Sequence, residues 1–392
     1  MQHSSIIGGS SAERRSHCTG SAALEDQLPE PETSDFALEG TALHELMYAA
    51  LTTDTLPKKG KDLWYEVEGQ RVLLTAEDLQ ERFWPAYNAI YDLMEKYQVD
   101  EYDMEITYSH TQTCGPEVFG TLDFVGWTAD GKTVIADFKF GRGKRVKARE
   151  NYQLAFYAVG LWEAGQEFVT NDLVFAIIQP WHDTDDIVDV WDTTQAWLES
   201  YRLQERRAYL RIINDDTALK AGKWCGFCKA HAICPEQQRA LESLDQSVAS
   251  ESIPSGMSPL RLAELLEMGE RAVQTQKRLV EFATTLGEQG VQIPGYKIVE
   301  SFGHRKFEDA DTAERVAVQL LGTSAYERKL RSPAQLKKAC AAEKIDFQPL
   351  EELITRPSRG GRLVRDEDNR PQIAPEQSRA IELPTQIGKL RR

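Results

Sequence analysis

The chain is 392 residues long, 41% hydrophobic and 28% charged, with a formal net charge of −16. This length suits two or three domains around a large core, and the composition is that of an ordinary folded, water-soluble chain with no apolar run near the ~20 residues of a membrane span. So acidic a balance excludes a broadly basic surface for duplex DNA, though it leaves room for a local basic channel.

Ser10–Ser21 is polar and predicts a short helix and a turn, with Cys18 inside it. Glu25–Glu39 is acidic and contains proline, the mark of a loop. Gly40 is expected to open a helix through Asp54, with Leu43, Leu46, Met47, Ala50 and Leu51 as its apolar stripe. His44 sits beside that stripe. Thr75–Tyr97 reads as a second long helix whose aromatic residues suit a core. Tyr102–Ser109 alternates as a strand does, and Glu105 within it offers a further acid.

Gly120–Lys139 organises the rest. Val118–Trp127 is strand-like, Ala129–Lys132 carries the turn pair Asp130-Gly131, and Thr133–Phe138 is the second strand of a hairpin. Asp123 lies in the first strand. Asp137 and Lys139 are two residues apart at the end of the second, so their side chains leave one face. Two carboxylates can hold a hard divalent ion, and an ammonium beside them can orient water or offset developing charge. That is the equipment of metal-dependent phosphodiester cleavage. The run from Lys139 through Arg142, Lys144, Arg145 and Lys147 to Arg149 follows directly and suits contact with DNA backbone phosphates. Glu150–Glu163 is an apolar helix with Gln153 and Tyr157 at i and i+4, hence on one face. Asp172–Pro180 reads as a buried strand and Thr193–Asn214 as a long charged helix. Strand, hairpin, helix and strand in this order predict an α/β core with a mixed sheet.

Asp123 followed by Asp137-Phe138-Lys139 resembles the core of the PD-(D/E)XK nuclease superfamily. The leading proline is absent, and Gly120-Thr121-Leu122-Asp123 stands where RecB-type members carry G-x-x-D. Gly40-Thr41-Ala42-Leu43-His44 resembles their G-x-x-x-H, and Gln153-Leu154-Ala155-Phe156-Tyr157 their Q-x-x-x-Y. The resemblance implies a restriction-endonuclease-like core, a mixed central sheet flanked by helices. It implies that His44, Asp123, Asp137 and the Phe138 carbonyl hold Mg2+ or Mn2+. Asp123, Asp137, Lys139, Gln153 and Tyr157 are then the catalytic set; Glu105, from the strand pattern and not from the resemblance, is the candidate extra acid. The expected activity is that of a DNA nuclease, an exonuclease or a cutter of single strands and flaps. The rival expectation is a catalytically inactive nuclease-fold protein that binds DNA or acts as a scaffold.

Six cysteines occur, and three cluster as Cys225, Cys228 and Cys234 with C-x2-C-x5-C spacing. A reducing compartment makes a metal centre a better expectation than disulfides. Three thiolates need a fourth ligand, and Cys18, His231 or His17 could serve. Spacing alone does not separate zinc from an iron–sulfur cluster. The RecB-type resemblance implies the second. One subgroup ties a lone N-terminal cysteine, here Cys18, to such a triplet around a 4Fe–4S cluster that staples the domain shut. Cys114 and Cys340 read as packing or unattached thiols.

The expected domains are a nuclease domain over 1–241, a Ser-rich linker over 242–257, a mostly helical module over 258–355 and a flexible tail over 356–392. Ser258 and Pro259 supply an N-cap and first residue for a helix running to about Glu288. Ile293–Arg305 suggests a short strand pair, and helices are expected at Asp311–Leu321 and Ser332–Glu343. The N-terminus shows no signal pattern, so a cytoplasmic site is expected. The whole chain resembles a phage-encoded RecB-type family with this extension. That implies a bacterial host cell, DNA as substrate, phage recombination or replication proteins as partners, and homo-oligomerisation among the options.

Overall fold

The computed structural model describes residues 4–299 apart from 5, 29–34, 68, 142–144, 166–168, 171, 181–185, 241 and 243–257. Beyond 299 it describes 315–316, 318–320, 336, 339–340, 345–351 and 353. Arg142, Lys144, the body of the expected linker and the tail therefore lie outside the described residues.

The N-terminal part opens with a 3-10 turn, Gly9–Ser11, and two short helices, α1 (Ala12–His17) and α2 (Ser21–Glu25). Helix α3 spans Asp35–Thr53. It starts earlier than the expected Gly40, which lies in its second turn. A hairpin follows, β1 (Leu63–Val67) against β2 (Gln70–Leu74). Thr75 caps the next helix by accepting from the Asp78 amide, the reciprocal box that a Thr-x-x-Asp start provides. That helix runs as α4 (Ala76–Asp78), a π-helical stretch (Leu79–Phe83) and α5 (Trp84–Tyr97).

The core is a five-stranded mixed sheet in the order β3 (Val99–Ser109), β4 (Phe119–Thr128), β5 (Lys132–Phe138), β6 (Asp172–Ile178), β7 (Val188–Thr194). Only β5 and β6 run parallel, and helix α6 (Tyr152–Ala164) makes the crossover between them. Helix α7 (Gln195–Ile213) follows β7, its first turn capped by Thr194. Alternation along the strands feeds two cores. Val134, Ala136, Phe138, Val174, Ala176 and Ile178 pack toward α3 and α5. Ile135, Leu173, Phe175 and Ile177 pack toward α6 and α7. The protein is thus a mixed α/β fold with helices on both faces of the sheet, as its pattern predicts.

The long helix α8 (Pro259–Glu288) is capped by Ser258, which accepts from the Arg261 amide. It does not begin a separate domain. Thr275 and Arg278 bond to the cysteine loop, and the chain divides into compact units at Met1–Val291 and Gln292–Arg392, not at 242–257. In the second unit, the described residues of the expected strand pair form a turn at Pro294 and Gly295 and no strand. Those of the two later expected helices are helical. Among the described residues, no helix is long and apolar enough to cross a membrane.

Candidate functional site

The site lies where the face alternation of β3 and β4 reverses. On β4, Phe124 belongs to one core and Leu122 to the other; on β3, Met104 and Tyr108 divide the same way. Between them stand Asp123 and Glu105. The ladder pairs Met104 with Phe124 and Ile106 with Leu122, so the two acids face each other across it. Glu105 has φ of 52°, the left-handed region that a non-glycine residue seldom enters inside a strand.

His44 reaches these acids from α3, its Nδ1 3.5 Å from Asp123 Oδ2. That ring nitrogen is buried without a hydrogen-bond partner. The ring is steadied by Phe140, edge to face at 5.1 Å, and Phe140 in turn stacks with Phe138. Among the described residues, His44, Glu105 and Asp123 form a group whose ligand atoms lie within 4.8 Å of one another. Asp123 Oδ2 also accepts from the Phe138 amide at 2.8 Å. Phe138 thus meets the site with its N–H.

Asp137 adjoins this group and is 2% exposed. Its Oδ2 lies 2.7 Å from Lys139 Nζ. Lys139 also donates to Gln153 Oε1 at 2.7 Å, and Gln153 Nε2 donates to the Tyr157 hydroxyl at 2.9 Å. The amide thus joins a cation to a phenol without adding negative charge. Gln153 and Tyr157 come this close because Gly120 lets α6 settle on β4. A Cβ there would meet Phe156 at 2.7 Å and Tyr157 at 3.3 Å.

Electrostatics follow from burial. Desolvation pushes the Glu105 carboxyl up to about 8, helped by the negative charge of Asp123. Asp123 is pushed up to about 6, first by desolvation, with His44 opposing. Burial holds the Tyr157 phenol well above its ordinary range, and the nearby carboxylates add to this. Burial makes ionising these carboxyls costly, and a divalent cation bound among them and the imidazole nitrogen would offset that cost.

Two described cations of the basic run are paired with acids. Arg145 lies 3.9 Å from an Asp186 oxygen and Lys147 3.7 Å from one of Asp189. Both cations face acids of the 186–189 stretch.

Two contributions were not anticipated. Arg82, 2% exposed in the π-helical stretch, pairs with Glu39 of α3 at 2.8 Å and donates to the Phe140 carbonyl at 3.0 Å. It sets the His44 helix against the end of β5. The signal was an arginine on the buried stripe of Leu79, Phe83 and Ala86. In the second core, His110 Nδ1 lies 2.8 Å from Glu205 Oε1, both fully buried, and ties the β3–β4 loop to α7.

The cysteine centre gathers Cys18, Cys225, Cys228 and Cys234, all buried, around one small cavity. Backbone amides of Lys220 and Gly222 donate to the sulfurs of Cys18 and Cys225, each at 3.3 Å. Burial, with Glu25 alongside, raises the Cys228 thiol to about 12. Both competing histidines are engaged elsewhere. His231 Nδ1 meets the Cys225 carbonyl and Nε2 the Thr275 hydroxyl, each at 2.9 Å. His17 Nε2 meets the Tyr152 hydroxyl at 3.1 Å, and its ring stacks on Trp224. Cys114 does not line this cavity. A family model described as a protein of unknown function (DUF2800) matches residues 3–371 of the chain.

Proposed function

The chain belongs to the DUF2800 family, and from its site we propose a divalent-metal-dependent deoxyribonuclease of the RecB-type PD-(D/E)XK kind. The observation that carries this reading is the grouping of His44, Glu105 and Asp123 within 4.8 Å beside the Asp137–Lys139 pair. The residues fit Mg2+ or Mn2+: carboxylate oxygens and one buried imidazole nitrogen lacking a partner. When bound, such an ion polarises a phosphoryl oxygen and acidifies a water. His44, Glu105 and Asp123 would hold it, with Asp137 beside them. Lys139, fixed between Asp137 and Gln153, brings positive charge to the phosphoryl oxygen as it gains negative charge. Gln153 and Tyr157 line the phosphate side with neutral groups.

The four cysteines fit a 4Fe–4S staple. A tetrahedral zinc at ~2.3 Å would draw four sulfurs to within about 3.8 Å of each other. Among the described residues, no three cysteines form a group with ligand atoms within 4.8 Å. Amides donating to sulfur are typical surroundings for a cluster.

The test is cleavage of end-labelled single- and double-stranded DNA with Mg2+ or Mn2+, with and without EDTA. Metal-dependent products from the wild type and none from Asp137→Ala are expected. DNA binding without cleavage under every metal condition would select the inactive nuclease-fold alternative.

A further inference from the structure

One wall of the candidate site is built by chain more than a hundred residues away. The 3-10 turn at Gly9–Ser11 lies against α6, and Gly9 is buried. A Cβ at Gly9 would fall 2.7 Å from the Tyr157 hydroxyl oxygen and 2.8 Å from two ring carbons. The backbone of the turn therefore limits where the Tyr157 ring can stand. That ring receives the Gln153 Nε2–H, and so leaves Gln153 Oε1 facing Lys139. A flipped amide would turn its NH2 toward an ammonium and lose the Lys139 bond, whereas the phenol, donor and acceptor alike, pairs with either end. Lys139 thus sets which way the Gln153 amide points, and the turn, by placing the Tyr157 ring, fixes where Gln153 stands to hold that ammonium.

The same arm touches α6 again at its start, where His17 meets Tyr152, the neighbour of Gln153. Between these contacts the arm is stiff. Arg15, 4% exposed, donates to the Ile6 carbonyl at 3.0 Å and to Ser21 Oγ at 2.8 Å, and pairs with Glu25 at 2.9 Å. Glu25 accepts from the Lys229 amide inside the cysteine loop at 3.0 Å. Cys18 closes the arm on the other three cysteines.

We propose that Ile6–Cys18 is a positioning arm that couples the four-cysteine centre to Lys139 through Gly9, Tyr157 and Gln153. The proposal rests on the nuclease reading for its catalytic consequence. With the centre assembled, the arm seats Tyr157 and Lys139 stays beside Asp137. With the centre lost, the arm loosens, Tyr157 gains room, and Lys139 loses its amide partner.

The test uses full-length, cluster-loaded protein. Gly9→Ala and Gly9→Val are expected to lower kcat about 10- to 100-fold with KM and visible absorption near wild type, while the melting temperature falls by the ordinary cost of overpacking. In a Gln153→Ala background the Gly9 substitutions should add nothing, because the pathway is already cut. Wild-type turnover in both Gly9 variants, or losses that multiply regardless of Gln153, would overturn the proposal. A second measurement needs no activity. Hydrogen exchange at residues 152–157 should quicken in Cys18→Ser while amides of β5 and β6 stay protected. Unchanged protection of 152–157 in that variant also overturns the coupling. Wild-type protein that cleaves no DNA with either metal would sink the nuclease reading alone, and exchange would still decide the coupling.

Discussion

Glu105 stands across the β3–β4 ladder from Asp123 on a left-handed backbone, φ 52°, in the middle of a strand. Such a conformation costs on the order of 1–3 kcal/mol, and like charges directly opposed add to the cost. The fold tolerates this because the strained residue aims its carboxyl at His44 and Asp123. A divalent cation would convert the repulsion into attraction.

Glu105→Gly separates strain from ligation. Glycine accepts the left-handed backbone, so the metal-free variant should be as stable as wild type or up to about 1 kcal/mol more stable. Its affinity for Mn2+ should fall at least about tenfold, roughly 1.4 kcal/mol. Calorimetric titration with Mn2+ and thermal melting in EDTA read the two effects. Unchanged Mn2+ affinity would remove Glu105 from the ligand set.

The raised carboxyls set a pH dependence. The folded values lie near 8 for Glu105 and 6 for Asp123, above the ordinary 4.5 and 3.8. Between the ordinary and the raised values the folded state holds more protons than the unfolded state. The stability these groups contribute without metal is therefore complete below about pH 4 and lost as pH climbs toward about 8. Glu105→Gln stays neutral, so in EDTA its melting temperature should gain on wild type from about pH 5 to about pH 8, the span over which unfolded Glu105 is ionised while the folded residue still holds its proton. Mn2+ binding should strengthen over the same range and release protons, because the ion needs the ionised carboxylates. A melting difference that does not vary with pH contradicts the assignment.

Lys139→Met should reduce metal-dependent cleavage by about 100-fold or more. Mn2+ affinity should hold or tighten, since a cation beside the carboxylates is gone. Parallel measurement of turnover and Mn2+ binding checks this, and a joint loss of both would mean that Lys139 serves folding instead.

Cys18→Ser should abolish the visible absorption of anaerobically purified protein, whereas His231→Asn and His17→Phe should keep it. Iron and zinc analysis on the same preparations identifies the metal. Colourless wild-type protein carrying one zinc would replace the cluster with a zinc site.

Arg82→Met removes a buried guanidinium from Glu39 and from the Phe140 carbonyl. A loss of about 2–3 kcal/mol in chemical denaturation is expected, as for a charge-assisted bond. Weaker Mn2+ binding should accompany it, because α3 and His44 are no longer fixed against β5. An affinity equal to wild type would show that His44 is placed without Arg82.

The pattern of the chain carried much of this. Alternation gave β3, the strand-like runs about the Asp130-Gly131 turn gave β4 and β5, a buried strand gave β6, and helical patterns gave α6 to α8, within a few residues. The β1–β2 hairpin and β7 were not legible. Val188–Thr194 is a half-exposed edge strand with acids in it, and Leu63–Leu74 is charged on its outer face, so neither shows a clean apolar alternation. The start of α3 was misplaced because Gly40, a poor interior residue by propensity, sits where the helix is already held by packing and by the Glu39–Arg82 pair.

Sequence by itself determined which chemical groups are available and in what order: an imidazole, two acids with a lysine, an amide with a phenol, and four thiols. Spacing of two, of four, and of C-x2-C-x5-C is local, and local geometry survives any global arrangement. Only the tertiary structure decided that Glu105 belongs beside His44 and Asp123, that Arg145 and Lys147 face acids, and that Gly9 abuts Tyr157. Those relations depend on backbone torsions and packing between segments up to a hundred and fifty residues apart, for which no short stretch of chain carries a pattern.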